Sequence, residues 1–364
     1  MIYIFFSLMM VLYLSFIDRY LINKKSFFLF IPFIVFYCII PSIQYDIGSD
    51  YFSYYNIYYN PDELKRFYDR NEVVFYGLYW VIKEFNLGPQ SIFFFSSVII
   101  GVFLSVILFK LRQYGYNVAL LFFIFMVVTN IYHNQMNGLR QYVSIIVLPL
   151  IFLLFFERRF LLALLLGCFS FLTHNSAFLS FLIAFLIILK DQSYKKLFLL
   201  FCIIPFVYYF SVDFFVYVID SFLPQYKHYL FSSYGEALSV SATFSKLYYL
   251  PIFMLFWFEV ISNEKNVSSS LRESNEYGLL KYAIIIWLFT YWIFVLYVQF
   301  AFFFRVASYF FFFYIFPLYY LIDSYYRKRR LFFVFLILIY LFAPYFFKTI
   351  ISPVEVFQFK TFIL

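Results

Sequence analysis

Long apolar stretches alternate with short polar islands from one end of the chain to the other. Ser91 to Phe109 and Leu331 to Phe347 approach the ~20 apolar residues that carry a helix across a bilayer, and no stretch shows the strict alternation of a membrane barrel. The pattern predicts an all-α polytopic membrane bundle of about twelve spans, at residues 1–17, 27–41, 91–109, 117–132, 141–156, 160–173, 177–189, 197–219, 247–261, 282–298, 306–322 and 331–347. The pair flanking His174 is short enough to form a broken or re-entrant hairpin in place of two crossings. Asn71 to Phe85 is apolar at Val73, Val74, Leu78, Val81, Ile82 and Phe85 but also carries Glu72, Lys83 and Glu84. It is predicted to be an interfacial or re-entrant helix packed over the bundle, more a structural lid than a catalytic element. One integral domain is expected over 1–364, with outer-face segments at 42–90 and 220–246.

Composition agrees with this pattern. The chain is 65% apolar, 28% aromatic and only 13% charged, with a mean hydropathy of +0.87, whereas a soluble domain is roughly a quarter charged. Threading the spans places Arg19, Lys24, Lys25, Lys110, Arg112, Arg158, Arg159, Lys190, Lys195, Lys196, Lys265, Arg272, Lys281 and the run Arg327 to Arg330 on one side, 17 of the 27 basic residues. By the positive-inside rule that side is cytoplasmic, and both termini lie outside. No basic segment precedes the first apolar stretch and no small-residue cleavage pattern follows it, so it is read as a retained span. The net charge of +8 follows from the loop bias and gives no sign of nucleic acid as a partner. Cys38, Cys168 and Cys202 lie within spans without CxxC spacing, and His133, His174 and His228 are too scattered for a zinc motif, so neither metal nor cofactor is expected.

The polar islands that interrupt the apolar pattern all thread to the outer side. Asp46 and Asp50 flank Gly48 and lead into Tyr51, Tyr54, Tyr55, Tyr58 and Tyr59. Carboxylates four apart share a helix face or close a turn, and carboxylates beside aromatic rings suit sugars; an acidic loop with an interfacial tyrosine belt has the same composition. Arg140 enters a span after His133, Asn134, Gln135, Met136, Asn137, Gly138 and Leu139, and a helix there would put His133, Asn137 and Arg140 on one polar face toward the aqueous mouth. An arginine at that depth either snorkels to the interface or holds an anion, and its planar fork matches a diphosphate. His174 breaks an apolar stretch running from Phe160 to Leu189. A polar hairpin tip and a proton acceptor with a pKa of ~6.5 both fit it. Arg305, set among phenylalanines, is a snorkelling residue or an anion holder where a lipid-linked phosphate would arrive.

These islands in this order resemble the EpsG family and the related Wzy polymerases of bacterial surface polysaccharides. The matching pieces are Gly48-Ser49-Asp50-Tyr51 before Tyr54-Tyr55, Glu72 opening the next helix, Leu139-Arg140-Gln141, Thr173-His174-Asn175-Ser176-Ala177, and Arg305 ahead of Tyr309-Phe310, over about residues 40–315. The resemblance implies a GT-C-like membrane glycosyltransferase of the bacterial cytoplasmic membrane. Such an enzyme polymerises oligosaccharide repeat units carried on undecaprenyl diphosphate on the outer, periplasmic face, into O-antigen or exopolysaccharide. It implies catalytic roles for His174, Asp50 and Asp46, diphosphate binding by Arg140 and Arg305, and glycan binding by Tyr45, Tyr51, Tyr54, Glu72, Asn137 and Gln141. The base stays open between His174, Asp46 and Asp50. Membrane lipid and a chain-length regulator are the further partners implied. A lipid-linked oligosaccharide flippase would need its cations near the midplane, and a multipass acyltransferase of exported glycan would leave both arginines, Asp46 and Asp50 without a role.

Overall fold

The structure, a computed structural model, describes residues 1–21, 26–181, 186, 189, 191–210, 212–222, 247–264, 275–299, 303–353 and 355–362. Among these it is helical, with one isolated antiparallel bridge between Gln44 and Thr361. Among the described residues five helices are long and apolar enough to cross a bilayer: Ile2–Tyr20, Ser91–Gln113, Leu139–Phe156, Phe304–Arg327 and Leu331–Ile351. Shorter apolar helices stand at Phe27–Ser42, Val118–Thr129, Phe160–Thr173 and Tyr277–Ile293. The chain is thus a multi-pass membrane protein. Of the other expected spans, 197–219 is occupied by two helices, Tyr194–Phe210 and Val212–Phe222, and 247–261 by Leu250–Glu264. Most of 182–190, and all of 223–246, lies outside the described residues.

Contacts group the chain into two compact units, Met1–Ala184 with Phe335–Leu364, and Phe185–Val334. In the first unit α1 (Ile2–Tyr20) packs on α7 (Val118–Ile124), and α2 (Ile31–Ser42) on α6 (Ser91–Gln113). Helix α6 packs in turn on α9 (Leu139–Phe156), and α9 on α10 (Phe160–Thr173). Three short helices, α3 (Tyr51–Ile57), α4 (Pro61–Asp69) and α5 (Val73–Glu84), fill the segment between α2 and α6. A four-residue helix, α8 (Ile131–Asn134), joins α7 to α9.

Polar groups gather at the two ends of these helices. At one end Lys110 of α6 binds Glu157 just beyond α9 (2.6 Å), and Arg112 reaches Asp18 of α1. At the other end Gln90, ahead of α6, donates to the carbonyls of Ser42 (3.0 Å) and Gln44 (2.8 Å) at the close of α2. Every island of this unit that the sequence threads outward lies at this second end.

The short helices form an aromatic layer there. Tyr51, Tyr54, Phe67, Phe75 and Tyr79 are buried together with Ile92 and Phe93 of α6 and Leu139 of α9. Asn60 caps α4 by accepting from the amides of Asp62 and Glu63, with Pro61 at the first helical position. In the second unit Leu250–Glu264 packs on Ile315–Arg327, and buried Glu259 is held by Ser324, Lys328 and Asn263.

Candidate functional site

Helices α9 and α10 run antiparallel, and two serines fix their register. The Ser144 hydroxyl donates to the Ser170 carbonyl (2.9 Å), and the Ser170 hydroxyl donates back to the Ser144 carbonyl (3.2 Å). Small residues allow this close approach between apolar helices. Arg140 stands four residues before Ser144 and His174 four residues after Ser170. One turn beyond the serine pair, the two side chains therefore arrive at the same end of the helix pair.

Glu72 comes between them from the aromatic layer. Helix α4 ends in a Schellman turn: Asn71 takes the left-handed conformation (φ 61°), its amide bonds the Tyr68 carbonyl, and the Glu72 amide bonds the Phe67 carbonyl. The turn directs the Glu72 side chain inward, and it is only 4% exposed. Its Oε2 pairs with Nη1 of Arg140, and its Oε1 lies 2.8 Å from Nδ1 of His174. Burial raises the Glu72 carboxyl pKa; the His174 hydrogen bond and the Arg140 charge outweigh that and hold it below the ordinary carboxylate value of 4.5. An ionised carboxylate only accepts, so the proton on Nδ1 of neutral His174 points at Glu72 and Nε2 is left as the basic nitrogen.

Arg140 is further enclosed by rings, its guanidinium carbon 4.6 Å from the Phe67 centroid and 5.9 Å from that of Tyr54. Next to His174, Asn175 donates to the Arg70 carbonyl (2.8 Å) and ties the end of α10 to the end of α4. Arg140 and His174 are 20% and 25% exposed, so a paired cation and an imidazole are both within reach of a ligand at this end.

The Asp46 to Asp50 segment is a turn, not a shared helix face. Asp46 has φ 47° and Gly48 φ 77°. Asp46 is bound by Lys360 at 2.8 Å, and the Asp50 amide donates to Asn137 Oδ1 (2.9 Å). Tyr45 is exposed, whereas Tyr51 and Tyr54 are buried, Tyr51 stacked on Phe93 at 4.7 Å with its hydroxyl on Gln90 (2.8 Å). Gln141 is half-buried in the first turn of α9. Arg305 is exposed on the helix Phe303–Phe310 and belongs to the second unit.

The expected polar face of His133, Asn137 and Arg140 does not form. The chain turns between α8 and α9 at Met136 to Gly138, so the three residues do not share a helix. His133 is fully buried, stacked 4.1 Å from Phe357 and 3.2 Å from the Tyr345 hydroxyl. Glu72 was legible only as a glycan contact, and Ser144, Ser170, Phe67 and Lys360 carried no chemical signal. The one hint was that Ser144 and Ser170 interrupt otherwise apolar helices.

Among the described residues no group of His, Cys, Asp and Glu is arranged to hold a metal. No curated protein and no solved structure matches the chain. A family model described as the EpsG family matches residues 27–362, nearly the whole chain, and the protein belongs to that family.

Proposed function

We propose that the protein is a membrane glycosyltransferase that polymerises oligosaccharide repeat units carried on undecaprenyl diphosphate, with its active face outward. Membership of the EpsG family supports a polymerase-like role in glycan synthesis at a membrane. The observation that carries the finer reading is the grouping of Glu72, Arg140 and His174 at one end of the helices, a half-buried base beside a fixed cation. In the reaction an acceptor sugar hydroxyl attacks the anomeric carbon of the donor glycan. The carbon–oxygen bond to the diphosphate breaks, the bonding pair leaves with the diphosphate, and the hydroxyl proton passes to Nε2 of His174. Arg140 keeps N–H donors beyond the one on Glu72 and offers them to the leaving diphosphate. Asp50, Asp46 and the exposed ring of Tyr45 line the nearby turn for the acceptor glycan. Arg140 lies in the first turn of its helix, where a lipid headgroup arrives, and not at a midplane cavity as a flippase would require.

The test uses purified protein with lipid-linked repeat units. His174→Ala should lower turnover by about 100-fold or more while substrate binding persists. Near-normal turnover in His174→Ala, together with collapse in Asp50→Asn at intact binding, would move the base role to Asp50. A strain lacking the chain should attach one repeat unit and make no ladder; loss of even the first unit would point to transport.

A further inference from the structure

We infer that Glu72 is a positioning residue that couples the two halves of the transfer, setting the basicity of His174 according to whether Arg140 is engaged by the donor diphosphate. The inference rests on the polymerase reading for the identity of the ligand on Arg140, but the coupling itself is a property of the side chains. One carboxylate, almost removed from solvent, divides its oxygens between the two partners, Oε1 to His174 and Oε2 to Arg140. A buried carboxylate shared in this way cannot serve both fully. While Arg140 draws on Glu72, less of the negative charge acts on the imidazole. When a diphosphate binds the guanidinium, Arg140 turns its charge to the phosphates, Glu72 acts on Nδ1–H of His174, and Nε2 becomes the better base. The acceptor hydroxyl would then be activated only with a donor in place, which suppresses idle proton transfer.

The surroundings leave Glu72 as the hinge of this exchange. From α9 the cation Arg140 faces the carboxylate, with the Tyr54 ring of α3 against its guanidinium, and the charge of Asp50, just ahead of α3, acts on Tyr54. From the end of α4, Arg70 offers its carbonyl to Asn175, and its own side chain is exposed. The carboxylate on His174 is that of Glu72, which sits at the start of α5 where the Schellman turn fixes it.

The experiment follows the imidazole by nuclear magnetic resonance in full-length protein in lipid nanodiscs, with isotope-labelled histidine and His174 identified by His174→Gln. The expected neutral form carries its proton on Nδ1. Glu72→Gln should shift the His174 protonation equilibrium toward the neutral form by about tenfold, and Glu72→Asp should recover part of that, which a merely structural role would not do. Arg140→Gln, standing in for an occupied guanidinium, should shift the equilibrium the other way. Its effect should shrink in Glu72→Gln/Arg140→Gln, a variant that also leaves no unpaired buried charge should the single variant fail to fold. A proton on Nε2, or strictly additive effects in the double variant, would overturn the coupling. Those readings need no ligand. Undecaprenyl diphosphate should then reproduce the Arg140→Gln shift in the wild type; if it binds without moving His174 the coupling to the donor fails. If the ligand-free cycle holds and undecaprenyl diphosphate does not bind, the polymerase reading fails instead.

Discussion

His133 lies seven residues before Arg140 in an outer turn, yet its ring is fully buried against Phe357, Tyr3 and Tyr345. Burial pushes its pKa from 6.5 down to about 3, so the folded protein holds it neutral. In the unfolded chain the same imidazole takes a proton near its ordinary value. Between those two values the unfolded state binds more protons, so stability is fully present above about 6.5 and falls as the pH drops toward about 3. His133→Gln should flatten that acid limb: thermal unfolding in detergent between pH 7 and pH 4 should show a smaller loss than in the wild type. An unchanged acid limb would mean that other groups carry it. Arg140 and His174 were legible in the sequence because each interrupts an apolar run. The role of Glu72 was not, because 68 residues separate it from Arg140 and 102 from His174. Nor was the burial of His133, which depends on the C-terminal segment folding back over it.

Two glycines in the short-helix layer respond in opposite ways to the same substitution. Gly48 has φ 77°, and a Cβ there would stand 2.3 Å from Oδ1 of Asn137, the atom that accepts from the Asp50 amide. Gly48→Ala should cost about 1–3 kcal/mol and loosen the start of α3. Gly77 lies within α5, where an added Cβ meets nothing within 4 Å. Gly77→Ala should stabilise by roughly 0.5–1 kcal/mol through helix propensity. Denaturant unfolding of the two variants beside the wild type checks the pair, and a loss at Gly77 as large as that at Gly48 would contradict the account. The elements themselves were largely readable. The helix expected over 71–85 is α5, set on α10 and α6, and the long spans from Ser91 and Leu331 appear as helices. An outer turn between the spans ending at 132 and starting at 141 was readable, but whether 133–140 is helical was not, because Gly138 alone does not distinguish a helical continuation from a break. Also unreadable was the return of the C-terminal segment, where Lys360 holds Asp46 and Tyr45 donates its amide to the Lys360 carbonyl (3.0 Å).

At the scale of the whole molecule, the orientation proposed for the site follows from which basic residues lie in the short connections between spans. In the first unit the two helix ends differ in kind. One end carries Arg19, Lys110, Arg112, Arg158 and Arg159, partly neutralised by Asp18 and Glu157. The other carries the Glu72 group and the aromatic layer with its exposed Trp80 and Phe85, and its Lys65, Arg66, Arg70 and Lys83 belong to the long 42–90 segment instead of a short connection. Lys and Arg close to short apolar spans resist translocation, so the first end should be cytoplasmic and the second outward. The prediction is a labelling pattern. In a background with Cys38, Cys168 and Cys202 replaced, a cysteine at exposed Ser49 should react with a membrane-impermeant maleimide in intact cells. Cysteines at Arg159 and Arg329, both exposed, should react only after the membrane is opened. Labelling at Arg159 with protection at Ser49 would invert the first unit and place His174 and Arg140 in the cytoplasm. Donors exported before polymerisation could not reach them there, and the proposed reaction would have to be abandoned even if every side-chain distance in the site held.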